Sequence, residues 1–275
     1  MVPDNKIEAI GSVLKDEKRP LKERFRALFT LRNLGGDTAI AAISQCFDDP
    51  SALLKHELAY CLGQMGDVKA IPKLIEVLKD VQQEPMVRHE AGEALGAIGD
   101  PSVLTLLREY SKDPVVEVAE TCQLAVGRIE WLQSEAKERE KFESDGKFLS
   151  VDPTPPSTET STEKHEIGYV LGQMASDAVV DELAAVVRDE KENEMVRHEA
   201  AEALGSVATE RAMAVLKDYL GDEARVVRES CEVALDMSEY ENSSEFQYAD
   251  GLVKLEQQQS EKAVLVFRSS LFYLI

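Results

Sequence analysis

The chain has 275 residues, 44% hydrophobic and 30% charged, which places it among soluble globular proteins able to bury a sizeable core. A formal net charge of −21 is the opposite of what phosphate-backbone binding needs, so no nucleic-acid partner is expected; the acidity serves solubility or favours a cationic partner. Cys46, Cys61, Cys122 and Cys231 fall in no CxxC or metal spacing, and the opening Met1 to Lys6 has no apolar signal region, so a reducing, cytoplasmic setting is expected.

From Ile7 to Leu34 apolar residues recur every three or four positions with charges between them, the helical period, and predict two helices broken near Arg19-Pro20. The second ends at Leu34-Gly35-Gly36, where glycine suits the left-handed residue after a helix. A third helix is predicted over Thr38 to Phe47, stopping at Asp48-Asp49-Pro50, with another beginning just beyond. Aligning Phe25 with His56 brings Leu31 onto Leu62 and Gly35 onto Gly66, so residues 21–47 form one unit, 51–79 the next and 84–112 a third. A period of about 31 to 33, with paired short helices, describes an all-α solenoid of the HEAT type. Pro114 to Trp131 is then a terminal helix with one face in solvent.

Residues 144–162, rich in Pro, Ser, Thr and Glu, read as a linker after the charge run Glu135 to Glu143. Thr160-Ser161-Thr162-Glu163 supplies a capping box, so a helix starts there with His165 in its first turn. The expected organisation is a first half over 1–143, the linker, a second half over 163–241 and a tail over 242–275. The apolar end of that tail, residues 263–275, is too short to span a bilayer, and no membrane association is expected.

All four histidines, His56, His89, His165 and His198, follow Lys or Arg and precede Glu; with acidic residues at 52 of 275 positions, four acidic followers alone are expected by chance about once in 800 sequences of this composition. His56 and His89 stand at the same spacing as His165 and His198, and the second pair repeats the first 109 positions on: a tandem repeat inside a duplicated half. Met86 to Gly96 matches Met195 to Gly205 at all but one position. Residues 7–55 have no counterpart before Lys164, so the second half is expected to lack at least one repeat.

In a solenoid, equivalent residues of neighbouring repeats sit on helices about 8–10 Å apart. Two histidines reaching inward can each place a ring nitrogen about 2.1 Å from a shared ion. His56 with His89 makes one such site and His165 with His198 another. Two imidazoles and a carboxylate suit non-haem iron; zinc and manganese accept the same donors, although the zincin pattern His-Glu-x-x-His is absent. Tyr60, Tyr169, Gly63 and Gly172 read first as core and close helix packing, while Gly63 and Gly172 could also let a substrate approach the backbone. No Ser-His-Asp arrangement, phosphate loop or basic aromatic patch is present.

The stretches His56 to Gly66 and Val87 to Gly99 with their copies, together with Leu31 to Gly36 and Phe246 to Leu252, closely resemble the deoxyhypusine hydroxylases over residues 7–252. The resemblance implies a HEAT-repeat di-iron monooxygenase, two Fe(II) ions per chain with dioxygen as co-substrate. It further implies, as protein substrate, a translation initiation factor whose deoxyhypusine side chain is hydroxylated to hypusine. Carried over residue by residue, it assigns one iron to His56, His89 and Glu90, the other to His165, His198 and Glu199, and the substrate amines to Glu57 and Glu166. A monomer is expected. The sequence departs from that family in the missing second-half repeat and in the apolar tail after Leu252, so the competing expectation is a non-catalytic HEAT scaffold or an inactive shortened form.

Overall fold

The computed structural model describes residues 2–134, 161–243 and 247–257; the apolar end of the tail and most of the 144–162 linker lie outside them. The first half comprises α1 (Asp4–Lys15), α2 (Leu21–Leu34), α3 (Gly36–Ser44), α4 (Ala52–Met65), α5 (Ile71–Lys79), α6 (Pro85–Ile98), α7 (Leu104–Tyr110) and α8 (Val116–Gln133). The second comprises α9 (Ser161–Gln173), α10 (Val180–Arg188), α11 (Glu194–Val207), α12 (Glu210–Asp218) and α13 (Arg225–Glu241). No strand occurs among the described residues, and the helical-repeat solenoid expected from the period is the observed fold. No helix among them is long and apolar enough to cross a membrane.

The local breaks follow the residues. Pro20 immediately precedes α2, and Gly35, at φ +65°, turns the chain so that α3 starts at Gly36, earlier than the periodicity predicts. Ser51 caps α4 by accepting the Leu54 N–H. Long helices α4, α6 and α8 pack side by side, as do α9, α11 and α13, while α5, α7, α10 and α12 back them from outside. Glycine permits this closeness: a Cβ on Gly63 would stand 2.8 Å from Ala94, and one on Gly205 2.7 Å from Ala234.

A buried arginine anchors three of the units identically. The Nε atoms of Arg24, Arg88 and Arg197 donate to the carbonyls of Leu14, Leu78 and Val187, and their guanidinium groups pair with Asp49, Asp113 and Asp222. Although burial opposes the charge on Asp113 and Asp222, Arg88 and Arg197 hold both carboxyls below the ordinary Asp value of 3.8. A carboxyl with a lowered folded pKa contributes stability that is full above its unfolded value and is lost as pH falls through the folded one. We therefore expect the contribution of these two pairs to the urea midpoint to be full above about pH 5 and to decline on acidification below pH 4. Asp113→Asn should flatten that decline while lowering the midpoint at neutral pH.

The two halves close on each other. On one seam Arg26 on α2 donates to Asp236 on α13 at 2.8 Å, and Ser51 donates to Glu229 at 2.6 Å. On the other, Asn193 donates to Glu117 at 2.8 Å. Part of the expected tail belongs to this closure. Residues 247–257 lie against α1 and α2, with the Gly251 N–H donating to Thr30 Oγ1 at 3.0 Å and Lys6 paired with Glu256 at 2.7 Å.

The seam between α8 and α9 carries the mark of the expected gap. Leu58 on α4 is fully buried, whereas Ile167, its equivalent on α9, is 43% exposed, and Met174 is 53% exposed. The α2–α3 pair flanks α4; among the described residues no pair flanks α9 in the same way.

Candidate metal centre

Each histidine is aimed by the residue before it. Lys55 and Lys164 pair with Glu84 and Glu192 at 2.5 and 2.6 Å, while Arg88 and Arg197 are tied to Asp113 and Asp222. The Lys/Arg-His-Glu triplets of α4, α6 and α11 thus read as an anchor followed by two residues turned towards the centre, since successive helical residues point about 100° apart. His89 and His198 are fully buried, His56 is 3% and His165 is 5% exposed.

The four rings converge. His56 stands edge-on to both second-half histidines, its centroid 5.8 Å from His165 and 4.9 Å from His198, and His89 is 5.2 Å from His165. Histidines of opposite halves are therefore as close as those of the same half; His165 and His198 are 5.3 Å apart. In each half the carboxylate comes from the neighbouring helix: His56 Nε2 lies 3.2 Å from Glu90 Oε2, and His165 Nε2 lies 3.4 Å from Glu199 Oε2. Glu57 sits 3.2 Å from His56 Nδ1. The side chain of Glu166 lies outside the described residues.

Two further carboxylates, not anticipated from the sequence, complete the cluster. Glu93 lies 3.4 Å from His89 Nε2 and Glu202 3.7 Å from His198 Nδ1, each four residues beyond its histidine on the same helix. The signal was present as His-Glu-x-x-Glu on α6 and α11. On α4 and α9 the same position holds Tyr60 and Tyr169, whose hydroxyls meet at 3.1 Å across the ring. Gly63 faces Ala94, so its lack of a side chain serves helix approach; Gly172 does the same against Ala203 and also lines the cavity.

The electrostatics are those of a cation site. Burial opposes charge on His56, but Glu90 and Glu57 overcome it and raise its pKa well above 6.5. Burial pushes His89 down to about 3 and holds His165 and His198 well below 6.5, keeping these rings in the neutral form that binds metals. Burial, with Glu90 close by, pushes Glu202 up to about 7, and burial with Glu202 raises Glu57. His89 Nε2 and both His198 nitrogens are buried without a hydrogen bond, while His56 Nε2 faces the Glu90 carboxylate at 3.2 Å. Buried polar atoms rarely go unsatisfied, so neutral imidazoles with open nitrogens among crowded carboxylates fit a cation. Donor atoms of His56, His165 and His198 lie within 4.8 Å of one another, as do those of His89, Glu90 and Glu93, and of His198, Glu199 and Glu202. Above them opens a 440 Å³ cavity with an acidic floor and Phe25, Phe29, Tyr240 and Tyr248 on its walls.

The sequence matches the model for HEAT repeats over residues 7–84, 40–127 and 159–236. The deoxyhypusine hydroxylase of Bos taurus is 53% identical over 301 residues, covering 93% of this chain and 98% of that one; the Homo sapiens protein is 52% identical with the same coverages. This chain belongs to the deoxyhypusine hydroxylase family. The structure of human deoxyhypusine hydroxylase in complex with glycerol superposes with a TM-score of 0.80 at 52% identity, covering 86% of this chain and 97% of that chain. Against the bovine hydroxylase, the 301 aligned positions take up 93% of 275 residues, about 256, so roughly 45 positions face no residue here, more than one of this chain's own repeats. That deficit agrees with the interrupted seam at α9.

Proposed function

We propose that this chain is a deoxyhypusine monooxygenase, with one iron ion held by His56, His89 and Glu90 and a second by His165, His198 and Glu199. The observation that carries the reading is the convergence of four buried imidazoles from α4, α6, α9 and α11 beneath an acidic cavity. A pair of Fe(II) ions bound there supplies the electrons with which dioxygen is activated to hydroxylate an aliphatic C–H bond. The protein's own residues have four tasks. Lys55, Arg88, Lys164 and Arg197 fix the azimuth of the ligand helices. The neutral rings of His89, His165 and His198 offer lone pairs without first losing a proton, whereas His56, whose charged form Glu90 and Glu57 favour, gives up a proton on binding. Glu57 and Glu166 bind the amines of the deoxyhypusine side chain and so set which carbon faces the metals. Tyr60 and Tyr169, joined across the halves, bound the reaction space. The net charge of −21 favours a cationic side chain on the incoming translation initiation factor.

The test is metal content of the purified chain together with the mass of a deoxyhypusine-bearing translation factor after incubation with iron, reductant and air. Two irons per chain and gain of one oxygen atom support the reading; a folded chain that takes up no iron and leaves the substrate mass unchanged overturns it, and would favour the scaffold alternative. Glu57→Gln keeps a hydrogen bond to His56 but removes a charge from the cavity. It should raise KM roughly thirtyfold, about 2 kcal/mol, with iron content unchanged. If iron is lost and substrate affinity kept, Glu57 is a ligand instead.

A further inference from the structure

The stretch Gln247 to Leu252 has no task in the hydroxylation as just described, yet it forms part of the cavity mouth: Gln247, Tyr248 and Ala249 line it beside Phe29 and Tyr240. The Tyr248 ring meets Phe29 at 5.9 Å and Tyr240 at 5.6 Å, both edge-on, so residues from α2, α13 and the C-terminal segment make one aromatic wall facing the acidic floor. What keeps the segment there is Arg26. Its guanidinium lies 4.6 Å from the centre of the Tyr248 ring, donates to Asp250 at 3.1 Å and to Asp236 at 2.8 Å, and is only 8% exposed. Thr30, one turn further along α2, accepts the Gly251 N–H, and a Cβ on Gly251 would stand 2.9 Å from Thr30 Oγ1, so the segment is pressed against α2.

We propose that Tyr248 is a specificity-determining residue that grips the alkyl-ammonium chain of the substrate against the acidic floor, and that Arg26 is the positioning residue that latches it in place. The inference rests on the hydroxylase reading for the identity of the chain being gripped. An aromatic face opposite carboxylates suits an unbranched alkyl chain bearing ammonium groups: the methylenes pack on the rings while the charges meet both the ring quadrupole and Glu57. Arg26 stacks on Tyr248 without lining the cavity, whereas Tyr248 itself lines it and is available to a ligand there. Asp236 and Asp250 neutralise the guanidinium, so the latch does not present a repelling cation to the mouth.

Tyr248→Ala, Tyr248→Phe and Asp250→Ala test this, each checked for an unchanged melting temperature and iron content. Two readouts are taken: KM and kcat with the deoxyhypusine-bearing protein, and calorimetric affinity for spermidine used as the probe. Tyr248→Ala should weaken spermidine binding and raise KM about tenfold with kcat within about twofold, Tyr248→Phe should stay near wild type, and Asp250→Ala should fall between, at about threefold. A merely structural role would move melting temperature or kcat and not KM alone. Tyr248→Ala with wild-type KM and spermidine affinity overturns the proposal, as does a Tyr248→Phe as weak as the alanine variant. If the wild-type chain binds spermidine but makes no hypusine, the hydroxylase reading fails while the spermidine comparison still decides the role of Tyr248.

Discussion

Replacing His56 or His198 by alanine is expected to abolish hydroxylation while the helical signal stays within a few per cent of wild type. Loss of a group that only supports a metal ligand costs about 10- to 100-fold, and loss of a ligand itself should exceed that range. The fold tolerates the change for a local reason. The His198 nitrogens make no hydrogen bond and meet Glu202 only at 3.7 Å, while His56 gives up Glu57 and Glu90, each 3.2 Å away, both of which also line the cavity; alanine is the best helix former. The anchors one residue earlier, Lys55–Glu84 and Arg197–Asp222, are untouched. Metal analysis and circular dichroism decide between the outcomes. Helicity that falls in step with metal content would make the histidines structural and sink the assignment.

Supplying the missing repeat should stabilise the second half by about 3 kcal/mol, since full burial of one aliphatic side chain contributes about 1.5–3 kcal/mol and more than one residue of α9 gains cover. Ile167 is 43% exposed where Leu58 is fully buried, and Val170 and Leu171 are half-buried where Cys61 and Leu62 are fully so. In a repeat array each unit is stabilised mainly by its neighbours, so this shortfall falls on the helix that carries His165. A copy of residues 21–50 inserted between Glu159 and Thr160 places an α2–α3 pair where α4 has one. Hydrogen exchange from α9 should slow about a hundredfold, and the affinity of the His165 side of the site for iron should rise. Equal protection of α4 and α9 in the unaltered chain, with no change on insertion, would show that the gap has no energetic consequence.

The repeat, the helical class and the position of every His-Glu pair were legible in the sequence because they are local or periodic. A 3.6-residue pattern, a glycine that must turn at Gly35 and an anchor that sits one residue before each histidine are each set within one repeat. The pairing of His56 with Glu90 and of His165 with Glu199 came only from the family resemblance; in the structure it follows from adjacent repeats contacting each other in a fixed register. What needed the tertiary structure is whatever depends on the two halves meeting. His56 beside His198, Tyr60 against Tyr169 and Glu57 near Glu202 each join residues more than a hundred positions apart, and their approach is set by how far the solenoid curves before Arg26 reaches Asp236. Curvature is the sum of small rotations between many packed helices, to which small-residue contacts such as Gly63 on Ala94 and Gly205 on Ala234 contribute. No single residue carries it. Docking of residues 247–257 depends on the same closure: its sequence holds a recognisable stretch, but the groove it fills exists only once α13 has come to rest beside α2.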